Sequence, residues 1–171
     1  MVAFFSAGLT LYFERAPRPA WVLALHYASL ALALAGFGGV LFLPVRGDVW
    51  VAAATIMYMS ALAVFLSAIE SAKRTRLQRS FVDLPLPDRL ITDGPYKWVR
   101  HPFCTGYLLG TLAGPVGIAH PAMFLIAAPL VGITIYAAVR EERLWLSGSR
   151  AEEYAEYRRR TGMFIPFIGR G

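Results

Sequence analysis

The polar side chains with the clearest chemical potential lie at a turn between apolar segments, in the stretch Ile91 to Cys104. Gly94-Pro95 predicts this turn, because glycine tolerates positive φ and proline disfavours helix in the residue before it. Pro102 is suited to the first turn of a following helix, where its missing N–H costs little. Arg100 and His101 would then precede a helix N-terminus, where free N–H groups and the helix dipole favour an anion. The stretch predicts a binding position for a carboxylate or a phosphate. The residue types alone fit a second interpretation equally, a membrane-interface belt with aromatic rings at headgroup depth and cations facing lipid phosphates: Tyr96, Lys97, Trp98 and Arg100.

A pair of carboxylates, Glu141-Glu142, ends an apolar run in the C-terminal half. Ionisable residues at the edge of an apolar segment are costly unless they are paired or functional. Neighbouring side chains on a helix point about 100° apart, so at most one of the two is expected to face a shared site easily. Two interpretations follow from the residues: an ordinary charged helix end, in which one carboxylate pairs with Arg100 or Arg143, or part of a functional site.

The elements that would position these groups are membrane helices. Of the 171 residues, 57% are hydrophobic and 16% are charged, with a mean hydropathy of +0.50, which is far more apolar than a soluble domain. Four apolar runs predict transmembrane helices, at 20–43, 49–69, 103–119 and 122–139. Residues 2–13 would extend only about 18 Å as a helix, against a hydrocarbon core of about 30 Å. An interfacial helix and a short fifth crossing both stay open for that segment.

The predicted fold is all-α, a polytopic membrane protein with a single integral-membrane domain over residues 1–171. All 17 Lys and Arg residues except Arg46 fall on one side of the four predicted crossings, which places the 70–102 loop and the C-terminal tail in the cytoplasm. In the tail we expect an amphipathic helix over about 150–160, with Ser149 as its N-cap, followed by a short apolar return over 163–168. The third crossing carries glycines at intervals of four, which indicate either tight helix packing or room for a ligand: Gly106, Gly110 and Gly114.

The charges and the scarce metal-binding side chains limit the partners. The net charge of +6 is explained more simply by topology and lipid headgroup contacts than by nucleic acid, so the lipid bilayer is the predicted partner and nucleic acid is not. Cys104 is the single cysteine and the three histidines are scattered, so no metal site is predicted. The Ala-, Arg- and Gly-rich composition fits a bacterial plasma membrane. The oligomeric state is not specified by these patterns.

Two ordered motifs resemble one family. The string Gly94-Pro95-Tyr96-x-x-Val99-Arg100-His101-Pro102 resembles the signature of the isoprenylcysteine carboxyl methyltransferases, small integral-membrane enzymes that are also similar to the phospholipid N-methyltransferases. Glu141-Glu142-x-Leu144, followed by Glu153-Tyr154-x-x-Tyr157-Arg158 and Ile165-Pro166, is similar to the C-terminal pattern of that family. The resemblance covers roughly residues 90–171, and residues 1–89 match only as generic membrane helices and a basic loop.

The resemblance implies methyl transfer from S-adenosylmethionine to a lipophilic or membrane-associated carboxylate, thiol or amine. In the family the cofactor lies between helix ends and cytoplasmic segments, and the acceptor enters from the bilayer. Carried over by position, the cofactor-binding residues would be Leu90, Ile91, Tyr96, His101, Pro102, Phe103, Cys104 and Glu141. The predicted catalytic residues are Arg100, His101 and Glu142.

The chain also departs from the family pattern, and rival functions stay open. The family commonly has tyrosine where this chain has Cys104, and a substrate-contacting arginine where this chain has Ala137, with Arg140 the nearest basic residue. One rival is a membrane reductase of the sterol-reductase type, in which a basic cluster would hold the 2′-phosphate of a nicotinamide cofactor: Lys73, Arg74, Arg76 and Arg79. The other rival is a non-catalytic helical bundle.

Overall fold

The computed structural model describes residues 47–74 and 89–169. These residues form four α-helices and one short 3₁₀ helix: α1 (Gly47–Arg74), the 3₁₀ helix (Gly94–Lys97), α2 (Pro102–Ile118), α3 (Pro121–Ser147) and α4 (Ala151–Arg160). The one extended pairing in these two ranges is an isolated bridge between Val99 and Gly162. The all-helical prediction is thus confirmed for this part of the chain. The predicted crossing at 20–43, the segment 2–13 and most of the basic loop lie outside the described residues.

Two of the helices, α1 and α3, are suited to a membrane by length and composition. The segments Gly47–Ala72 and Pro121–Ser147 are long enough for the hydrocarbon core, and in each the most apolar window is only 17% buried. A soluble core helix would bury such side chains, whereas a lipid-facing helix leaves them exposed. These are the helices predicted at 49–69 and 122–139. Both continue past their predicted C-terminal ends, and α3 therefore includes Glu141 and Glu142.

Helix α2 packs closely against α1 along its small residues. A Cβ added at Gly106 would lie 3.2 Å from the carbonyl oxygen of Ala61, and one at Gly114 would lie 3.3 Å from the hydroxyl of Tyr58. The backbone of α2 thus reaches the side chains of α1, as small residues permit in lipid. At these two positions the structure supports tight packing rather than space for a ligand.

The C-terminal half of α1 and the start of α2 share an aromatic core. Phe65 and Phe103 meet edge to face, with ring centroids 5.3 Å apart, and both are fully buried together with Ala68 and Ala72. Edge-to-face pairs of this kind stabilise beyond the area they bury. This packing fixes the start of α2, which is the element that carries the polar motif.

The turn before α2 follows the sequence prediction. Gly94 has a φ of +56°, and a Cβ there would lie 2.1 Å from Oγ of Ser71 on α1. Only glycine combines this backbone conformation with so close an approach. Pro102 is the first residue of α2 and His101 is its N-cap. The predicted turn and helix start are therefore both confirmed.

The C-terminal segment folds back onto the motif through its backbone. The amide of Arg100 donates to the carbonyl of Gly162 at 2.9 Å, the amide of Gly162 donates to the carbonyl of Trp98 at 3.0 Å, and the amide of His101 donates to the carbonyl of Met163 at 3.2 Å. The tail and the motif are thus paired like two short strands.

Helix α4 starts later than predicted. Its N-cap is Arg150, with no side-chain cap hydrogen bond, so the prediction of Ser149 as N-cap is wrong. Glu156 pairs with Arg160 one turn ahead, as expected, and also with Arg159. Exposed pairs at this spacing favour the helical conformation.

Candidate active site

A cleft lies where the polar motif, the end of α3 and α4 meet. It encloses about 320 Å³ of empty space, including its open mouth, and is lined by Arg89, Leu90, Ile91, Tyr96, Arg100, His101, Glu141, Trp145, Tyr154 and Tyr157. The cleft combines an aromatic wall with charged groups of both signs, and the two parts of its wall come from sequence segments about 50 residues apart.

Arg100 is held on all sides by the protein itself. Its side chain is 1% exposed, and its Nε donates to Oε1 of Glu142 at 2.6 Å. Its Nη1 donates to the carbonyls of Arg158, at 3.2 Å, and Thr161, and its Nη2 donates to the carbonyl of Gly169 at 2.9 Å. The guanidinium thus joins the motif, α3 and the tail, and this fork of donors is the geometry in which arginine is not replaceable by lysine.

His101 lies between the two carboxylates of α3. Its Nδ1 is 3.7 Å from Oε2 of Glu141, and its Nε2 is 3.4 Å from Oε1 of Glu142. The expectation that at most one carboxylate faces the shared site is only partly met. Both approach the same imidazole ring, from opposite nitrogens, but only Glu141 lines the cleft. Glu142 is 7% exposed and lies behind it.

The anion expected near Arg100 and His101 is present in the chain itself. Both side chains face Oε1 of Glu142, at 2.6 Å and 3.4 Å, while Nε of Arg158 is 3.6 Å from Oε2 of the same carboxylate. A buried carboxylate of this kind needs such charged partners, because an unpaired one would be strongly destabilising. Glu142, which lies behind the cleft, therefore positions three groups: the guanidinium groups of Arg100 and Arg158 and the imidazole of His101.

An aromatic cluster forms one wall of the cleft. Trp145 and Tyr154 are stacked, with ring centroids 5.5 Å apart and planes 6° from parallel, and Tyr154 meets Tyr157 edge to face at 6.0 Å. Leu90 packs against this cluster. The hydroxyl of Tyr157 donates to the backbone carbonyl of Tyr96 at 2.7 Å, which ties α4 to the motif.

The structure brings together some of the predicted cofactor-binding residues and separates others. Leu90, Ile91, Tyr96, His101 and Glu141 line the cleft. The other three lie buried in the first turn of α2 and are not among the lining residues: Pro102, Phe103 and Cys104. Their assignment to the cofactor stays a prediction from the resemblance.

Sequence reasoning missed Trp145 and Arg89 as members of the cleft. Trp145 follows Glu141 by four positions, so the two lie on the same face of α3, one turn apart. That spacing was available in the sequence, and it would have identified Trp145 once Glu141 was placed. Arg89 gave no such signal, because its position at the cleft depends on the path of the chain into the motif.

The residues of the cleft fit S-adenosylmethionine by chemical type. The aromatic wall, in which the rings of Trp145 and Tyr154 are parallel, suits a flat base. The carboxylate of Glu141 suits an ammonium group or ribose hydroxyls, and the cation of Arg89 suits a carboxylate. Within residues 47–74 and 89–169, no group of three or more His, Cys, Asp or Glu side chains is arranged to hold a metal ion.

Comparison with known proteins also identifies methyltransferases as relatives. Residues 48–149 match the profile of the family described as "Phospholipid methyltransferase". Over 85 residues the chain is 35% identical to a methanethiol S-methyltransferase of Crocosphaera subtropica, covering 49% of this chain and 32% of that protein. Over 79 residues it is 30% identical to the protein-S-isoprenylcysteine O-methyltransferase of Mus musculus, covering 46% of this chain and 28% of that protein.

A relative with a different name also matches. Over 77 residues the chain is 36% identical to the cobalt-zinc-cadmium resistance protein CzcN of Cupriavidus metallidurans, covering 45% of this chain and 35% of that protein. The chain thus spans about a third of the length of the curated relatives it matches.

Proposed function

The chain belongs to the phospholipid methyltransferase family, and from this premise we propose that it is an integral-membrane methyltransferase that uses S-adenosylmethionine. The observation that carries the proposal is the cleft itself. Its aromatic wall, the carboxylate of Glu141 and the imidazole of His101 converge from two distant segments on one volume of about 320 Å³. The resemblance assigns both Glu141 and His101 to the cofactor, and Nδ1 of His101 lies 3.7 Å from Oε2 of Glu141.

The residues that would hold the cofactor are those of the cleft. Trp145, Tyr154 and Tyr157 would pack against the adenine, and Glu141 would bind the ammonium group or the ribose. When bound, S-adenosylmethionine supplies a methyl group on a positively charged sulfur, for in-line displacement by a nucleophile. Electron-rich aromatic faces and a carboxylate favour a cation nearby. The cleft therefore suits the charged methyl donor.

The protein would accelerate the reaction mainly by positioning and by excluding water. Of the predicted catalytic residues, Arg100 is buried in the wall of the cleft and Glu142 is buried behind it. We propose that they hold His101 and the C-terminal tail in place, so that the imidazole keeps one orientation toward the cleft. A carboxylate or thiolate acceptor needs no strong base. For these two classes of acceptor, residues that position the reactants are therefore sufficient for methyl transfer.

The acceptor is proposed to be lipophilic or membrane-associated. The names of the relatives describe methyl transfer to the sulfur of methanethiol and to an oxygen of isoprenylcysteine, so thiol and carboxylate acceptors lead, with an amine as the third class. We further propose four membrane crossings with the cleft on the cytoplasmic side, in a bacterial plasma membrane. The outward-facing apolar side chains of α1 and α3 support the membrane insertion of these two helices, and the excess of Lys and Arg on one side of the predicted crossings supports the orientation.

The test is ligand-dependent stability of the full chain purified in detergent. S-Adenosylhomocysteine at about 100 times its dissociation constant adds roughly 2.7 kcal/mol, which corresponds to an increase of about 5–10 °C in Tm for a chain of this size. We expect this increase for the native chain and its loss in Glu141→Ala. Glu153→Ala is the matched control, because its exposed carboxylate lies on α4 outside the cleft lining and pairs with Arg150.

Each alternative result has a defined meaning. An unchanged Tm of a monodisperse native sample at millimolar S-adenosylhomocysteine would refute the methyltransferase proposal. An increase with a reduced nicotinamide dinucleotide instead would indicate the reductase. Equal responses of Glu141→Ala and the native chain would mean that the ligand binds outside the cleft.

A further inference from the structure

Tyr154 combines a place on the wall of the cleft with a buried hydroxyl. The residue is 2% exposed, and its hydroxyl has no hydrogen-bond partner among the described residues. Its ring lines the cleft and is fixed by stacking on Trp145 and by contact with Tyr157. The hydroxyl is therefore held in position by packing, and by no polar contact within this part of the chain.

Its neighbour Tyr157 shows what a structural tyrosine does in the same helix. Its hydroxyl donates to the carbonyl of Tyr96 at 2.7 Å. Both residues lie on α4, three positions apart, and both rings belong to the same cluster. One hydroxyl joins two segments of the protein, whereas the other joins nothing described in it.

An unsatisfied buried hydroxyl destabilises a folded protein, because its bonds to water are lost and not replaced. A phenylalanine at position 154 would keep the stacking and remove that cost. A tyrosine there is explained if a bound molecule supplies the missing partner, as is general for polar groups that fix a ligand in a mostly apolar site.

The hydroxyl is also set up to donate. Burial raises the pKa of Tyr154 well above its ordinary value, and the nearby carboxylates of Glu142 and Glu141 act in the same direction. The group therefore stays protonated at physiological pH, and the complementary group on a ligand is an acceptor. In the aromatic part of the cleft, that acceptor is a ring nitrogen of a flat base or an oxygen of the attached sugar.

We propose that Tyr154 is a ligand-binding residue whose hydroxyl donates a hydrogen bond to the adenosyl half of the bound cofactor. This inference rests on the proposed function, since it assumes that the cleft holds S-adenosylmethionine. It adds a polar contact on α4 to the apolar role of the wall. It also predicts an unusual pairing of effects, in which removal of the hydroxyl weakens binding without weakening the unliganded fold.

The experiment compares the native chain with three variants that each remove a tyrosine hydroxyl: Tyr154→Phe, Tyr157→Phe and Tyr136→Phe. For each purified full-length protein we would measure the Tm without ligand and the Kd of S-adenosylhomocysteine by calorimetry. We expect Tyr154→Phe to raise the Kd about three- to tenfold, the value of one net hydrogen bond. Its Tm without ligand should equal or exceed the native value.

The other two variants are controls. Tyr157→Phe should lower the Tm without ligand, because its hydroxyl bonds to the carbonyl of Tyr96. Tyr136, which is 68% exposed on α3, should change neither quantity.

The outcomes separate this inference from the proposed function. If the native chain binds and Tyr154→Phe binds within twofold of it, the inference is overturned and the function stands. A lower unliganded Tm of Tyr154→Phe would show that the hydroxyl serves the fold, which also overturns the inference. If the native chain does not bind S-adenosylhomocysteine, both fail together. 5′-Methylthioadenosine lacks the amino acid part of the cofactor, and we expect Tyr154→Phe to raise its Kd by the same factor. If Tyr154→Phe binds 5′-methylthioadenosine as tightly as the native chain does, the assignment to the adenosyl half is overturned.

Discussion

Nε of Arg100 donates to Oε1 of Glu142 at 2.6 Å, across 42 positions of sequence. Both side chains are buried, and the remaining guanidinium nitrogens donate to carbonyls of the C-terminal segment. One residue of the motif is thus tied at once to α3 and to the tail. The wall of the cleft depends on this junction, because His101 is the next residue and its two carboxylate neighbours lie on α3.

Loss of this junction should be costly. We expect Arg100→Ala to destabilise the protein by about 3–5 kcal/mol, since it leaves the Glu142 carboxylate buried without its closest partner. Arg100→Lys should recover only part of this, because a single ammonium cannot reproduce the fork of donors. Thermal unfolding in detergent measures both. Arg150→Ala removes an exposed pair with Glu153 and should cost less than about 1 kcal/mol. Similar Tm values for the Arg100 and Arg150 variants would show that the junction contributes little.

Gly162 should be the least replaceable glycine of the described tail. A Cβ there would lie 1.9 Å from the carbonyl oxygen of Ile165 and 2.8 Å from that of Ile168, and these backbone atoms cannot move without opening the tail. We expect Gly162→Ala to lower the Tm by several degrees and to weaken binding of S-adenosylhomocysteine.

Gly132 on α3 is the matched control, with nothing within 4 Å of an added Cβ. Gly132→Ala should leave the Tm unchanged or raise it, because alanine favours the helix over glycine by up to about 1 kcal/mol. A native-like Tm and Kd for Gly162→Ala would contradict the described tail conformation.

Cys104 tests whether the first turn of α2 touches the cofactor. Its side chain is buried and does not line the cleft. We therefore expect Cys104→Ala to leave the Kd of S-adenosylhomocysteine within twofold of the native value, with a loss of stability typical of a small buried side chain, below about 1.5 kcal/mol. A tenfold rise of the Kd in a well-folded sample would instead support the assignment of Cys104 to the cofactor site.

Alkaline pH should destabilise the protein partly through Tyr154. Its folded-state pKa is raised by burial, so its contribution is fully present below the unfolded-state pKa of about 10. Above that pH the unfolded chain loses the proton first, and stability falls as the pH rises. We expect the Tm of the native chain to fall more steeply between pH 9.5 and 11 than that of Tyr154→Phe. Parallel curves would show that the hydroxyl ionises equally in both states.

Local chemistry alone fixed several parts of this molecule. Gly94-Pro95 specified a turn and Pro102 a helix start, because each restricts its own backbone whatever surrounds it. Apolar runs of bilayer length predicted α1 and α3, since a hydrocarbon environment admits few other arrangements. Most of the candidate site was also reachable from the sequence, because two motifs in the right order identified the family.

Only the tertiary structure decided how the charged residues divide their work. Arg100 and His101 both line the cleft and are each 4% exposed, whereas Glu142 lies behind it and contacts both. The partners of Arg100 include three backbone carbonyls of the tail, and a carbonyl has no signature in sequence. The unsatisfied hydroxyl of Tyr154 is equally a property of packing. Residue types determine which interactions are available, but the path of the chain determines which of them are left for a ligand.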